Sequence, residues 1–200
     1  MEKINILYID DDLDTHTEDY LNEFYTNPTV QKSFNDLFFD PEKDSYESLL
    51  NNDKVKKADV IIIDSKLFQD ASVADAKLSG EEFRIIIKKF FPYKEIIVIT
   101  QNAIIPGFDI ISKYDSGKQQ SVEVFYNGCL KERLDKSIDN ILLYRRINVK
   151  LKTNENINSI LLEKIDNNLC GILEYEDFTK RDLDNLISSF EEIKEQLKNV

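Results

Sequence analysis

Short apolar runs that end in acidic or hydroxyl residues alternate with helical patterns along this chain, and few architectures accommodate that alternation. It is the sign of βα repeats wound around a mostly parallel sheet. Ile4–Ile9 reads as a first strand, apolar throughout except Asn5, as expected when helices cover both faces. A helix over Thr15–Tyr25 follows and Pro28 stops it. Ser33–Phe39 is a poorer strand. Asp44-Ser-Tyr-Glu47 has the form of a capping box and predicts a helix to about Lys56. Asp59–Ile63 is then a buried strand closed by Asp64.

A second capping box, Ser79-Gly-Glu-Glu82, opens a helix with Phe83, Ile86, Ile87 and Phe90 on one stripe before Pro92. Glu95–Ile99 is a strand ending at Thr100. After Pro106-Gly107 the pattern predicts a short helix around Phe108–Tyr114, then a fifth strand over Val122–Tyr126. Leu130, Leu134, Ile138, Ile141 and Leu142 recur at helical spacing, so a long helix spans about Leu130–Val149. Two units result: a doubly wound α/β domain over 1–150 and a helical extension over 151–200. In the extension, Lys152–Asn158 reads as a linker before helices near Ile160–Leu169 and Arg181–Leu197. Thr179-Lys-Arg-Asp182 caps the last of these.

In an open parallel sheet, ligands collect where the strands end in their carboxyl termini. Strand one ends in Asp10-Asp11-Asp12, strand three in Asp64, strand four in Thr100 and the expected strand five in Asn127. Carboxylates brought within a few ångströms repel one another unless one protonates or a cation neutralises them. Magnesium suits such a site, because it takes oxygen ligands from one or two carboxylates and keeps its remaining positions for water or phosphate. Asp64 is then free to act as a nucleophile toward a phosphoryl group, with Thr100 donating to a phosphoryl oxygen.

ILYIDDD, ADVIIID and IIVIT fall in the order and approximate spacing of the first, third and fourth strands of receiver domains, and over about three-quarters of its length the chain resembles a two-component response-regulator receiver. The resemblance implies a flavodoxin-like five-stranded parallel sheet of order 2-1-3-4-5. It matches Asp10 and Asp11 to the acidic metal pair, Asp64 to the phosphoacceptor, the backbone carbonyl of Lys66 to a third protein ligand for Mg2+, and Thr100 to the switch hydroxyl. A sensor kinase and a downstream effector are the partners it implies, in a cytoplasmic phosphorelay. Two departures accompany it. The family's lysine after strand five falls on Asn127, with Lys118 and Lys131 the nearest ammonium groups, and its aromatic switch position falls on Val124 beside Phe125 and Tyr126. The loop after Asp64, to Ser79, is several residues longer than the family's usual turn.

Two other readings follow from the same residues. Without a lysine in register, the chain is a degenerate receiver that binds a protein partner independently of phosphorylation. Asp10-x-Asp12 after a strand also resembles the nucleophile motif of haloacid-dehalogenase-type phosphatases, although Asp14 stands where that family has threonine or valine.

A formal charge of −12 repels nucleic acid and anionic lipid. Residues 151–200 hold six Lys and Arg against eleven Asp and Glu, unlike a DNA-binding output domain. MEKINILYIDDD is neither a signal peptide nor a membrane span. Cys129 and Cys170 have no partner spacing for zinc or a disulfide framework, and His16 cannot anchor a metal alone. The last helix of the domain and the C-terminal helices offer faces for a homodimer.

Overall fold

The computed structural model describes residues 1–67, 79–102, 110–117, 120–154 and 156–172. Its sheet contains β1 (Glu2–Asp10), β2 (Val30–Phe38), β3 (Val60–Asp64), β4 (Glu95–Thr100) and β5 (Ile110–Ser112), all parallel, in the order β2-β1-β3-β4-β5. The chain is therefore a receiver-like, flavodoxin-like α/β fold with C-terminal helices.

The two-residue period of each strand divides the core into two layers. Ile4, Ile6 and Tyr8 of β1, Val60 and Ile62 of β3, and Ile97 and Ile99 of β4 face one side. There they meet the first helix, α1 (Thr15–Asp19), with its π-helical continuation Tyr20–Phe24, and the last helix of the domain. Leu7, Ile9, Ile61, Ile63, Ile96 and Val98 face the other side and pack on α2 (Tyr46–Asn51), α3 (Asp53–Lys57) and α4 (Gly80–Phe90). Burial on both faces explains why β3, VIIID, carries no alternation at all.

Local details depart from expectation at the second helix. Ser45, not Asp44, is the N-cap, in a reciprocal box with Ser48, and Asp44 instead accepts from the Asp40 backbone N–H at 3.0 Å. The helix does not run unbroken to Lys56. Asn52 turns extended, and its side chain caps α3 by accepting the Lys54 N–H at 2.8 Å.

The larger correction concerns the fifth strand. Val122–Tyr126 is not a strand: it begins the helix α5 (Val122–Cys129), capped by the Ser121 hydroxyl on the Val124 N–H. The expected helix at Phe108–Tyr114 is instead the site of β5, whose three residues pair with Val98–Thr100. Packing overrode propensity here. Tyr126 turns inward on α5 and lies 5.1 Å from the Tyr20 ring, a contact available from a helix on that face of the sheet.

A long helix, α6 (Lys131–Lys152), closes the series, and α7 (Ser159–Leu169) follows. Asp166 of α7 ties back to α6 through Lys152 at 2.6 Å and Asn148 at 2.9 Å. Gly171, with φ +73°, ends α7 where a Cβ would lie 1.9 Å from the Lys56 carbonyl oxygen. The expected helix over 181–197 and its cap at Thr179 lie outside the described residues. No helix among the described residues is long and apolar enough to cross a membrane.

Gly80 fixes how closely α4 approaches β3. The Ser79–Glu82 capping box forms as expected, and a Cβ on Gly80 would meet the Asp64 carbonyl oxygen at 2.3 Å. Gly80→Ala must push the helix off the strand end, and a loss of about 1–3 kcal/mol in urea unfolding is expected.

Lys94, at the amino end of β4, is buried, donates to the Lys56 and Ala58 carbonyls at 2.7 and 2.5 Å, and sits 4.9 Å over the Phe91 ring. Burial lowers its pKa to about 8, against the weaker pull of Asp59. The unfolded chain then holds the proton more tightly than the native one, so this group makes stability rise as pH goes from about 8 to its ordinary value near 10.5. Lys94→Met should lose this rise, so the wild-type-minus-variant stability difference should grow by about 3 kcal/mol across that window in matched denaturant titrations.

Candidate functional site

The carboxyl ends of β1, β3 and β4 bring the expected acidic residues together. Asp10 is 1% exposed, Asp64 is 6% exposed and Asp11 is half-buried. One carboxylate oxygen from each lies within 4.8 Å of the others. Thr100 is buried at the end of β4, where its hydroxyl accepts from the Asn102 backbone N–H at 3.2 Å. The Ser65 N–H bonds to the Ile99 carbonyl at 2.8 Å, which holds the turn after Asp64 against β4. In that turn the backbone N–H of Lys66 donates to Asp64 Oδ2 at 2.6 Å.

A lysine completes the cluster, and it is not one that the sequence suggested. Lys113, immediately after β5, is 6% exposed and places Nζ 2.6 Å from Asp10 Oδ2 and 2.8 Å from Asp64 Oδ1. Its backbone N–H continues the ladder to the Thr100 carbonyl at 2.7 Å, so the register of β4 with β5 aims the side chain. Asn127 does not stand at a strand end: it lies on α5 and accepts from the Tyr20 hydroxyl at 3.0 Å. Lys131 pairs with Asp135 at 3.1 Å, and Lys118 lies outside the described residues. Val124 is exposed on α5 and takes no part in the site; counting three residues back from Lys113 reaches the buried Ile110.

Ile110-Ile111-Ser112 is a short strand with Lys113 directly after it, which puts the lysine at a strand end. Only two apolar residues mark that strand.

The sequence also gave no sign of Tyr8. On β1 it shares a face with Asp10, two residues on, and its buried hydroxyl makes a short hydrogen bond to Asp10 Oδ2. The same hydroxyl accepts the Asp14 N–H at 3.3 Å. Asp14 caps α1 through the His16 and Thr17 N–H groups, and the Thr17 hydroxyl, 2.5 Å from Asp14 Oδ2, meets the Tyr126 hydroxyl at 2.6 Å. Tyr126 in turn accepts the backbone N–H of Tyr114, the residue after Lys113, at 3.0 Å.

The electrostatics follow from this crowding. Burial raises the Asp11 pKa to about 6, reinforced by the charges of Asp10 and Asp64 and opposed by a backbone hydrogen bond. Burial works against the Lys113 ammonium, yet Asp10 and then Asp64 outweigh it and hold its pKa above the ordinary value. Burial, followed by the Asp10 charge, keeps the Tyr8 phenol protonated far above its usual range. Three carboxylates against one ammonium leave an oxygen-rich pocket with net negative charge, the donor set a hard divalent cation takes.

A raised Lys113 pKa places its stabilisation below the unfolded value of about 10.5 and removes it only as pH climbs through the higher folded value, so the interaction is complete at neutral pH. Lys113→Met strands two buried carboxylates, and a loss of about 3–5 kcal/mol is expected at pH 7 by chemical denaturation. An unchanged midpoint would contradict the bridging role.

No family model matches this sequence, and no curated protein matches it. Among solved structures, it is similar to the two-component response regulator RcsB in a complex with DNA, at 17% identity and a TM-score of 0.36 over 94% of this chain and 99% of that one. It is similar also to the RcsB response regulator of Salmonella typhimurium, at 17% identity and a TM-score of 0.36 over 94% of this chain and 100% of that one.

Proposed function

We propose that this chain is a signalling receiver module that accepts a phosphoryl group on Asp64 with magnesium bound, and that phosphorylation controls its contact with a protein partner. The observation that carries the reading is Lys113: a buried ammonium between Asp10 and Asp64, delivered from the end of β5 to the edge where the acidic residues converge. Asp10, Asp11, Asp64 and the backbone carbonyl of Lys66 would hold Mg2+, which when bound neutralises charge on the transferring group.

The residues of the chain have separable roles. An Asp64 carboxylate oxygen attacks phosphorus while the bond from phosphorus to the donor's leaving group breaks, leaving an aspartyl phosphate. Lys113 exchanges its contact with Asp64 for a phosphoryl oxygen, supplying a fixed positive charge where negative charge develops. Tyr8 holds Asp10 in place from beneath. The Thr100 hydroxyl, on the strand adjoining Asp64, donates to a second phosphoryl oxygen. A sensor kinase is the expected source of the phosphoryl group, and an effector protein its reader.

The degenerate-receiver reading drew its support from a missing lysine, and Lys113 removes that support. The phosphatase reading needs a nucleophile at Asp10, whose Oδ2 accepts from both Lys113 and Tyr8 and whose Oδ1 accepts the Asp12 N–H at 3.1 Å, three contacts against the two on Asp64, from Lys113 to Oδ1 and from the Lys66 N–H to Oδ2.

Beryllofluoride with magnesium, followed by amide NMR shifts, tests the proposal. Wild type should shift residues around β3, β4 and Lys113, and Asp64→Asn should show none of it. With acetyl phosphate as donor, Lys113→Met should lower the phosphorylation rate by about 10²–10³, the usual effect of deleting one electrostatic donor. An unaltered response in Asp64→Asn would sink the reading. Phosphate-ester turnover lost in Asp10→Asn and kept in Asp64→Asn would replace it with the phosphatase.

A further inference from the structure

The end of the sheet opposite the acidic pocket carries a second feature that the receiver reading leaves unused. A cavity of about 880 Å³ opens at the amino ends of β1 and β3, bounded by β2, α3, α6 and the end of α7. Its size lies within the range of small-molecule sites.

Its charges do not cancel. Three carboxylates line it, Asp53, Asp59 and Asp166, so that one acid stands against the lysines once the other two are counted with their partners; Asp59 is taken by Arg145 at 2.7 Å and the Asn5 N–H at 2.9 Å. Asp166 is taken by Lys152 and Asn148. The carbonyls at the end of α3, which would otherwise draw nearby ammonium groups, are already satisfied by Lys94. Lys54 donates to the Asp36 carbonyl at 2.6 Å. Lys3, Lys56 and Lys57 line the cavity with no ion-pair partner among the described residues, a concentration of positive charge in a chain of net charge −12.

The second observation is independent of charge. Asn148, 7% exposed, lines the same cavity, and its side-chain oxygen Oδ1 is buried with no hydrogen-bond partner among the described residues. Its amide nitrogen is committed to Asp166, so a simple flip of the amide does not repair the defect. Buried acceptors are nearly always satisfied, and an orphan in a polar cavity points to a donor that belongs there. Either a phosphate P–OH or an N–H of an organic body could supply it, and comparison of pyrophosphate with ADP separates the two. Ser33 and Asn35 on β2 add further polar groups along the floor.

We infer that this cavity binds a phosphorylated small molecule of nucleotide size, its phosphates against Lys3, Lys56 and Lys57 and an N–H donor of its body on Asn148 Oδ1. The site lies at the opposite end of β3 from Asp64, so occupancy does not require the acidic pocket.

Isothermal titration of the full chain with ADP, in EDTA to keep divalent cations out, tests it, with sodium pyrophosphate as the probe for the phosphate contacts alone. ADP should bind with one-to-one stoichiometry, and Lys56→Ala/Lys57→Ala should weaken both ADP and pyrophosphate about tenfold or more. Asn148→Leu, which keeps volume and removes the acceptor, should weaken ADP and leave pyrophosphate unchanged. Ser33→Ala gives a second ADP readout should Asn148→Leu fold poorly. No heat with ADP up to millimolar concentration, or ADP affinity indifferent to both the lysine and the Asn148 or Ser33 changes, overturns the inference. Equal affinity for pyrophosphate and ADP overturns the assignment of the donor to Asn148.

Discussion

A single ammonium group between two buried carboxylates organises the carboxyl edge of this sheet. Asp10 and Asp64 reach it from β1 and β3, adjacent strands whose register is set by two continuous apolar layers. Lys113 reaches it from β5, across the sheet, because the ladder from Thr100 fixes the backbone at the point where the side chain must turn inward. Buried charge networks of this kind rarely stabilise a fold as well as apolar residues of the same volume, since desolvation offsets most of the attraction. A charged cluster kept where well-packed leucines would be more stable is the pattern expected of a working site rather than a structural one.

How much of this was legible in the sequence depended on strand length. β1, β3 and β4 are covered on both faces and run five residues or more, so each carries an apolar run of at least four residues, after which the terminal acids or hydroxyl stand out. β5 has three residues, the last of them Ser112, too few to show a period, and Lys113 follows at once. Val122-Glu-Val-Phe-Tyr126 offered branched and aromatic residues in its place. That sequence is a helix because Ser121 caps it and because Tyr126 finds Tyr20 and Thr17 on the helical face of the sheet. A strand ending at Tyr126 puts the next position on Asn127, whereas the lysine that reaches Asp10 and Asp64 is Lys113, after β5.

Tyr8 was hidden for a different reason. Inside an apolar strand, a tyrosine satisfies the hydrophobic pattern, and nothing in the pattern reveals where its hydroxyl goes. In the folded chain that hydroxyl joins Asp10 to the cap of α1, and through Thr17 and Tyr126 to the backbone beside Lys113. Two routes therefore connect Asp10 with the Lys113 segment, one direct ion pair and one chain of hydrogen bonds around it. Because each group in that chain is partnered, a shift of Lys113 toward a new anion cannot be absorbed locally. The hydrogen bonds that continue from it lead to α1 and α5.

The charge distribution separates the two ends of the molecule. Acid gathers at the carboxyl ends of the strands and unpaired lysine at the amino ends, with β3 between them. Five residues of strand span about 16 Å, roughly twice the screening length at physiological salt. Through solvent, the field of a ligand at the base would be largely spent before it reached Asp64. Mechanical coupling is more direct, because Lys94 fastens the end of α3 to the start of β4, and β4 ends at Thr100 beside the acidic cluster. Any influence of one site on the other would therefore run through the packing of β3 and β4, whose buried residues transmit strain, rather than through charge.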